Sequence, residues 1–355
     1  MTPFVHAAQP SRIVFGAGSL AQLPAELGHL GVRRALVLST PGHAASAERV
    51  AALLGECAAG VFAGAVMHVP IEAARAARTE AHRIGADCAV TIGGGSTIGL
   101  GKAIALESAL PIIAVPTTYA GSEVTAIYGI TEAGVKKTGR DTKVLPKTVI
   151  YDPELTLTLP LALTVTSLLN AIAHAAEGLY AHDGNPVVAL MAEEGIRAGA
   201  AALPALSANP QDLAARGNAL YAAWLCGTVL GSVSMGLHHK LCHTLGGSFG
   251  LPHAEVHAVV LPHAIAYNAA QAPQALARIG RALGVGARVV PQALQNLAAR
   301  HGAPTSLRAI GMPADGLDRA ADLAATTPYP NPRPLERAAL RTLLQRAFDG
   351  APPAP

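Results

Sequence analysis

Histidines at helical spacing are the side chains of this sequence with the clearest potential for chemistry. His239 and His243 are four residues apart, so they share one face of a predicted helix. We expect that helix to stop at the glycine pair 246–247 and the next helix to open at Pro252, directly before His253. Such a group of imidazoles indicates either a metal site or a site that moves protons.

The same spacing recurs upstream, where Asn170 and His174 are four residues apart on another predicted helix. Histidines on apolar helices also serve simply to pack or to cap, and this structural interpretation stands beside the chemical one. Whether the side chains converge depends on the elements that carry them.

The composition describes a well-folded chain with few charges. Of the 355 residues, 51% are hydrophobic and 14% charged, which favours large buried cores over disorder. The net charge is +3 and no long basic run occurs, so the sequence gives no support to a nucleic-acid or membrane-surface partner. Four scattered cysteines and the lack of an export signal favour a reduced, cytoplasmic protein.

One uncharged stretch is long enough to cross a bilayer. Residues 217–237 contain no charged side chain, but they include four glycines and several hydroxyl groups. We interpret this stretch as a buried central helix rather than as a membrane span.

The pattern of elements divides the chain into two parts. Up to about residue 150, short β-rich runs such as 34–39 and 88–92 alternate with Ala-rich helical stretches such as 44–54, and afterwards helix follows helix. We therefore predict an α/β nucleotide-type domain with a parallel sheet over residues 1–155. An all-α domain over residues 156–355 should follow it.

A glycine-rich turn in the first domain has the properties of a phosphate site. Gly93, Gly94, Gly95 and Ser96 follow a predicted strand and open a helix that contains Lys102. Glycines let the backbone approach a pyrophosphate closely, and the start of a helix directs free N–H groups toward it. A tight turn without any ligand would have the same sequence.

A second strand end strengthens the case for a ligand. Thr117 and Thr118 follow the run 110–115 and bring two hydroxyl groups to the carboxyl edge of the sheet. Open α/β sheets bind their ligands at that edge.

Taken together, these motifs resemble the iron-containing (group III) alcohol dehydrogenase family over nearly the whole chain. The resemblance is carried by the glycine-rich turn, by residues 117–123 and by the two histidine segments, in the family's order. Residues 119–129, 136–141, 238–247 and 331–334 further resemble one branch of the family, the maleylacetate reductases. The branch implies reduction of the C=C bond of maleylacetate to 3-oxoadipate with NADH, in the breakdown of aromatic compounds. It also implies a Rossmann-like first domain and a homodimer.

The resemblance assigns the dinucleotide contacts. They fall on Gly93, Gly94, Gly95, Ser96, Lys102, Thr117 and Thr118. Gly99 departs from the family, which usually has an aspartate there. Thr40 stands where many members carry an aspartate that binds the ribose hydroxyls of NAD. Without that carboxylate a 2′-phosphate is not repelled, so we expect NADPH to be accepted beside NADH.

The resemblance also raises the question of a metal. The family's divalent ion is held by an aspartate and three histidines, and the matching positions are Asn170, His174, His239 and His253. Three imidazoles can hold zinc, but the anionic ligand has become a neutral amide. We therefore expect that activity does not require a divalent metal, and that His174, His239 and His253 hold one if it is present.

The chemistry of an enone dicarboxylate agrees with this expectation. Hydride addition to its C=C bond forms an enolate, whose charge protonated imidazoles and a nearby lysine could stabilise. We predict His243 as the proton donor, with His239 and His174 as electrostatic or orienting partners. The two carboxylates of the substrate require cationic or hydroxyl partners, for which we propose Lys240, Tyr119 and Arg333.

Three other functions stay open on the sequence alone. They are a metal-dependent alcohol or polyol dehydrogenase of the same fold, a dehydroquinate-synthase-like lyase that recycles its NAD, and a non-catalytic histidine-rich metal-binding module. The glycine-rich turn argues against the last. The basic segment 136–147 fits a solvated hairpin as well as it fits a substrate site.

Overall fold

The computed structural model describes residues 4–8, 11–133, 135–326 and 329–354. These residues form two compact units. Residues 11–159 make up one unit, and residues 160–354 together with residues 4–8 make up the other. The limit at residues 155 and 156, as a boundary between independently folding domains, stays a prediction.

The strands of the first unit form a parallel sheet. In chain order the strands are β1 (Arg12–Phe15), β2 (Ala35–Leu38), β3 (Ala58–Phe62), β4 (Cys88–Gly93), β5 (Ile112–Pro116), β6 (Ile127–Glu132), β7 (Val135–Arg140) and β8 (Thr148–Tyr151). Among the described residues, six of them pair in the order β1-β8-β5-β4-β2-β3, all parallel. The central strands are short, continuous apolar runs because both of their faces are buried.

Four helices accompany the sheet of this unit: α1 (Leu23–Leu30), α2 (Ala44–Leu54), α3 (Ile71–Arg83) and α4 (Gly95–Ser108). Apolar side chains pack in two clusters, one of which includes α1 and α2 and the other α3 and α4. The predicted parallel α/β fold is therefore confirmed.

The basic segment of the first unit lies partly in a hairpin. β6 and β7 pair antiparallel, and Lys137 Nζ lies 2.7 Å from the Glu132 carboxylate. This contact is solvent-exposed, as expected for a hairpin at the surface. The side chain of Lys136, which the sequence suggested as a cation for the substrate, lies outside the described residues.

The second unit is helical, as predicted. Its helices are α5 (Leu161–Gly178), α6 (Pro186–Ala208), α7 (Leu213–Ser232), α8 (Leu237–Phe249), α9 (His253–Asn268), α10 (Pro273–Leu283), α11 (Val290–Arg300), α12 (Leu317–Thr326) and α13 (Arg337–Asp349). Helices α8, α9, α12 and α13 share one apolar core.

The helix that carries the histidine pair is longer than the sequence predicted. We expected α8 to end at the glycine pair 246–247, and this expectation is wrong. Neither glycine adopts a positive φ, and α8 continues to Phe249. Gly250 ends it with φ +67°, a left-handed conformation that favours glycine. Helix α9 then begins directly after Pro252, as expected.

The uncharged stretch 217–237 spans two helices. Its first part belongs to α7, which is buried around much of its circumference. Within the described residues, no single helix has the length and apolar character needed to cross a membrane. The pair α7 and α8 meets that requirement together but is bent by 97°.

Candidate active site

The glycine-rich turn lies at the carboxyl edge of the parallel sheet. β4 and β5 pair so that Gly93 lies opposite Pro116, and the N–H of Thr117 donates to the carbonyl of Gly93 at 3.1 Å. The turn before α4 and the pair Thr117–Thr118 are therefore neighbours at one edge. The predicted elements of the dinucleotide site thus lie together in the first unit.

Glycine is required at two positions of this turn for steric reasons. Gly93 has a φ of +152°, and a Cβ added there would lie 2.5 Å from Thr97 Oγ1. A Cβ on Gly94 would lie 2.9 Å from Thr118 Cγ2. The chain can therefore make this sharp turn and open α4 at Gly95 only with small residues. The first N–H groups of a helix have no partner within it and are available to a phosphate.

Thr40 follows β2, the strand beside which the strand order of the sheet reverses. The chain runs from β2 outward to β3, and then returns to the other side of β2 with β4. Crevices at such a reversal bind ligands in open α/β sheets. Thr40 follows β2, is half-buried, and its Oγ1 lies 2.9 Å from His43 Nδ1. This location supports the predicted role of Thr40 beside the ribose, which stays a prediction.

Lys102 lies in a different environment from the one the sequence suggested. Its side chain is completely buried, and Nζ donates to the carbonyls of Ser122, Thr125 and Ile127 at 2.7–2.8 Å. Burial lowers the pKa of Lys102 to about 7. The ammonium thus ties α4 to the segment that follows Thr118, and its hydrogen-bond donors are occupied. We therefore expect it to support the dinucleotide turn rather than to contact a phosphate.

Tyr119, proposed as a substrate contact, is also completely buried in the described structure. It directly follows Thr118 in the sequence. Its role toward a substrate stays a prediction.

The histidines of the second unit converge on one another across three helices. His174 on α5 and His239 on α8 have ring centroids 5.1 Å apart. His257 on α9 lies 5.0 Å from His239 and 6.1 Å from His174. One ring nitrogen of each of these three residues lies within 4.8 Å of the others. We call His174, His239 and His257 the histidine cluster.

Several polar atoms in and beside the histidine cluster lack a hydrogen-bond partner among the described residues. They are His174 Nδ1, His239 Nε2, both ring nitrogens of His257, and the amide oxygen Oδ1 of Asn170. Buried polar atoms are nearly always satisfied, so a group of unsatisfied ones points to a missing partner. A metal ion, a water molecule or a substrate oxygen would each supply it.

The histidine cluster differs from the set that the sequence predicted. We assigned His257 no role, yet its ring lies 4.8 Å from that of His238, 5.0 Å from that of His239 and 6.1 Å from that of His174. The predicted ligand His253 is exposed at the start of α9, with its ring 4.4 Å from that of His257. The spacing of four residues between His253 and His257 was the sequence signal that could have revealed it. Whether His253 binds a metal stays a prediction.

The predicted proton donor His243 lies one turn beyond His239. Their ring centroids are 6.2 Å apart, and His243 is exposed whereas His239 is buried. A proton donor must be open to its substrate, so this exposure is compatible with the predicted role.

The cluster carries no positive charge of its own. Burial is the main cause that lowers the pKa of His174, His239 and His257 well below the usual value, and the neighbouring histidines lower it further. These imidazoles are therefore neutral near pH 7. The expectation that protonated His239 or His174 stabilises an enolate does not fit this environment.

A buried carboxylate that sequence reasoning missed holds the start of α8. Glu177 on α5 is completely buried, and its carboxylate accepts from the N–H groups of His238 at 2.8 Å and His239 at 3.2 Å. It also accepts from His239 Nδ1 at 2.5 Å. Burial raises the pKa of Glu177, while the N–H groups of these histidines oppose that rise. Burial disfavours the charged form of His239, which favours a hydrogen bond over an ion pair in this contact.

The donor set of the histidine cluster fits a divalent transition metal. Neutral imidazoles with free nitrogens are the form that binds such ions. His239 is also oriented through its other nitrogen by a carboxylate, as metal-binding histidines commonly are. His174, His239 and His257 would hold the ion, with the amide oxygen of Asn170 as a neutral neighbour.

Two of the proposed substrate cations lie in the second unit. Lys240 follows His239 on α8, and its ammonium lies 5.8 Å from the ring centre of Tyr329. Lys240 forms no ion pair with a carboxylate in the described parts of the chain. The guanidinium of Arg333 lies over the ring of Tyr267 at 4.1 Å and donates to the Tyr267 carbonyl at 3.3 Å.

The segment that carries Arg333 is anchored to the end of α9. Asn331 and Asn268 exchange two amide hydrogen bonds of 2.8 and 3.0 Å. The hydroxyl of Tyr267 donates to the carbonyl of Pro334 at 2.6 Å. The Pro-bracketed segment is thus held in one conformation, as expected for residues that position a side chain.

A cavity of about 530 Å³ opens beside Glu177. Ser234, Gly236, Tyr180 and Asn331 contribute to its wall. The cavity therefore lies next to a carboxylate that contacts the histidine cluster.

Comparison with known proteins agrees with the arrangement of these motifs. Residues 10–153 match the iron-containing alcohol dehydrogenase family, and residues 164–348 match the C-terminal part of the same family. A maleylacetate reductase from Burkholderia cepacia is 67% identical to this chain over the full length of both. One from Sphingobium indicum is 57% identical over 99% of both.

A solved structure agrees over the same length. The crystal structure of maleylacetate reductase from Agrobacterium tumefaciens superposes with a TM-score of 0.96 at 57% identity, covering 99% of this chain and 100% of that one. Both parts of the chain thus match a single family in the order that the glycine-rich turn and the histidine segments predict. The chain therefore belongs to the iron-containing alcohol dehydrogenase family.

Proposed function

We propose that this chain reduces the C=C bond of maleylacetate with NADH and yields 3-oxoadipate, in the breakdown of aromatic compounds. The observation that carries this proposal is the identity of 67% over its whole length to a maleylacetate reductase. Further relatives with that name are 54–57% identical over 96–99% of the chain. Such likeness over both units makes a shared reaction the simplest interpretation.

The reaction needs a hydride and a proton delivered to neighbouring carbons. In this proposal NADH gives hydride to the carbon β to the ketone, and the electron pair of the C=C bond moves into an enolate. A proton then adds to the carbon next to the ketone, and NAD⁺ is released. His243 donates this proton, because its ring is exposed and lies one turn from His239 of the histidine cluster.

The neutral histidines assist as dipoles rather than as cations. His239 and His174 would act as orienting partners beside the substrate, because their buried rings present nitrogens without partners among the described residues. The positive charge that an enolate requires would come from Lys240, whose ammonium is on the same helix as His239.

We propose that turnover does not depend on a divalent metal. The position expected for the anionic ligand is Asn170, whose amide cannot neutralise a cation. The histidine cluster would still hold such an ion, which would supply Lewis-acid polarisation of the ketone oxygen. The negative charge of an enolate is shared between carbon and oxygen, so it needs less of this help than the alkoxide of an alcohol dehydrogenase.

The substrate carboxylates are assigned to cationic groups of the second unit. Lys240 has no carboxylate partner in the described chain, so it is free to bind one from a ligand. Arg333 is held on Tyr267 in a fixed orientation that suits bidentate binding. Tyr119 is kept as a third candidate because of its position after Thr118.

The coenzyme site is assigned to the carboxyl edge of the sheet. The family is NAD(P)-dependent. We propose that Gly93, Gly94, Gly95 and Ser96 bind the pyrophosphate, that Thr117 and Thr118 support it, and that Thr40 lies at the ribose. NADH should be preferred, and NADPH should also be used, because Thr40 carries no charge.

The proposal extends to the oligomeric state of the chain and to its location in the cell. We propose a homodimer, which the resemblance implies. All four cysteines are free thiols, as expected in the reducing cytoplasm. Light scattering of the purified protein tests the dimer directly.

One assay tests the proposed reaction. Purified protein with NADH and maleylacetate should give 3-oxoadipate, identified by mass spectrometry, and activity should persist after exhaustive chelation. A panel of simple aldehydes and ketones should be reduced poorly. The alternative is a metal-dependent alcohol dehydrogenase, which the unsatisfied histidine nitrogens also fit. It would be favoured if an aldehyde were reduced faster than maleylacetate, and if that activity were lost with chelator and restored by zinc.

A further inference from the structure

The contacts of Glu177 indicate which nitrogen of the His239 ring carries a proton. Its carboxylate is completely buried at the start of α8 and receives three N–H groups, two from the backbone and one from His239 Nδ1. A carboxylate can only accept. His239 Nδ1 therefore carries the proton of this hydrogen bond, and in the singly protonated ring Nε2 carries a lone pair.

A second contact is compatible with the same tautomer. The Nε2 of His238 lies 3.1 Å from the carbonyl oxygen of His257, which can only accept, so His238 carries its proton on Nε2. The Nδ1 of His238 is then an acceptor. It lies 3.4 Å from His239 Nδ1, whose single proton is donated to Glu177. An acceptor at this place is compatible with a protonated His239 Nδ1, so the contact agrees with the proton position that the carboxylate specifies.

We propose that Glu177 is a positioning residue that fixes the tautomer of His239 and directs the Nε2 lone pair toward His174 and His257. The His239 Nε2 atom is buried and has no hydrogen-bond partner among the described residues. The rings of His174 and His257 lie 5.1 and 5.0 Å from that of His239. The role of this lone pair as an acceptor toward a ligand rests on the proposed function, whereas the tautomer does not.

A carboxylate is needed here rather than an amide. Oε1 of Glu177 accepts from the N–H of His238, whereas Oε2 accepts from both the N–H and the Nδ1 of His239. In Glu177→Gln an NH2 group replaces one of these oxygens, and at the Oε2 site it faces His239 Nδ1. Because NH2 only donates, His239 would take up its proton on Nε2 and lose the lone pair that faces the cluster. The change is nearly isosteric, so the fold should survive while the function of the ring inverts.

The cavity beside Glu177 offers a way to restore the carboxylate. Glu177 lines this space of about 530 Å³, and a Cβ on the neighbouring Gly236 would lie 3.4 Å from Glu177 Oε1. In Glu177→Ala, removal of the side chain would join its volume to the cavity. Formate could then enter and accept the N–H of His239 in place of the lost group.

The tautomer is measured first, in the free protein without substrate. In ¹⁵N-histidine-labelled protein, the imidazole resonances of His239, assigned by their loss in His239→Asn, should show a protonated Nδ1 and an unprotonated Nε2. Glu177→Gln should populate the form protonated on Nε2, and Glu177→Asp should keep the wild-type pattern. A wild-type His239 protonated on Nε2, or a Glu177→Asp variant that loses the proton on Nδ1, would overturn the proposal whatever the substrate proves to be.

Turnover is measured second. Glu177→Gln should lower kcat about 10–100-fold, the usual effect of losing a carboxylate that orients a functional histidine, with little change in KM for NADH. Formate should restore much of the activity of Glu177→Ala, and formamide should not. Tyr180→Phe is the matched control, because it removes a 3.4 Å contact to the same carboxylate and leaves the carboxylate in place. Equal restoration by formate and formamide would contradict the proposal.

Discussion

The coenzyme preference of the chain can be changed at one position. Thr40 follows β2 at the reversal of the strand order, and it is the N-cap of a short 3₁₀ turn with its Oγ1 near His43. Aspartate is a favourable N-cap residue, so Thr40→Asp should fold normally. If Thr40 lies at the ribose, the new carboxylate would face the 2′-phosphate of NADPH.

The size of the effect follows from simple electrostatics. Because Thr40 is half-buried, screening as strong as in water gives the smallest repulsion to expect there. Two unit charges 4 Å apart then repel by about 1 kcal/mol, and a phosphate with nearly two charges repels a carboxylate by about 2 kcal/mol. This corresponds to roughly a 30-fold fall in kcat/KM for NADPH relative to NADH, at about 1.4 kcal/mol per factor of ten.

A neutral variant separates charge from shape. Thr40→Asn has nearly the shape of the aspartate variant and should leave the NADPH to NADH ratio of kcat/KM close to wild type. The assay is steady-state oxidation of each coenzyme with saturating maleylacetate at low ionic strength. If the aspartate and asparagine variants have the same ratio, Thr40 does not lie at the ribose and the assignment of this crevice is refuted.

Three further predictions concern the histidines and their surroundings. His243→Ala should lower kcat about 10²–10⁴-fold with little effect on NADH binding, and near-normal turnover would remove His243 from the mechanism. Asn170→Asp should bind Co²⁺ more tightly than Asn170→Ala, on the order of tenfold or more, because it adds an anionic oxygen beside the histidine cluster. Binding is followed by the visible absorption of Co²⁺, and equal affinities would exclude position 170 as a ligand. Burial lowers the pKa of His263 from 6.5 to about 4, so its contribution to stability is present above pH 6.5 and is lost as the pH falls toward 4. At about 1.4 kcal/mol per pH unit, the free energy of unfolding falls by roughly 3 kcal/mol over this range. His263→Gln should therefore show a smaller fall in melting temperature over this range, and an identical fall would contradict it.

The architecture was largely predictable because its signals are local. The buried strands are continuous apolar runs such as 88–92, and the structure places β4 over Cys88–Gly93. The helix predicted over 44–54 has those bounds. The glycine-rich turn was recognisable because Gly93 must adopt a φ that other residues avoid.

The details of the site depended on contacts that spacing does not encode. Glu177 is a single carboxylate on an apolar helix, and only the packing of α5 against the start of α8 shows that it binds His239. His257 was indistinguishable from a core histidine until α9 was positioned. Lys102 suited a phosphate by its place after the glycines, but tertiary packing directs its ammonium to backbone carbonyls instead. The helix stop at 246–247 failed because glycine permits a turn without requiring one.

The central claim is that hydride is delivered to a carbon of the C=C bond and not to a carbonyl carbon. It is tested most directly with NADH that carries deuterium at the transferred position, with maleylacetate as substrate and NMR of the product. The account predicts 3-oxoadipate with one deuterium on the methylene next to the distal carboxylate, and a solvent-derived hydrogen on the methylene next to the ketone. Deuterium on a carbinol carbon, in a hydroxy acid that keeps its C=C bond, would contradict it.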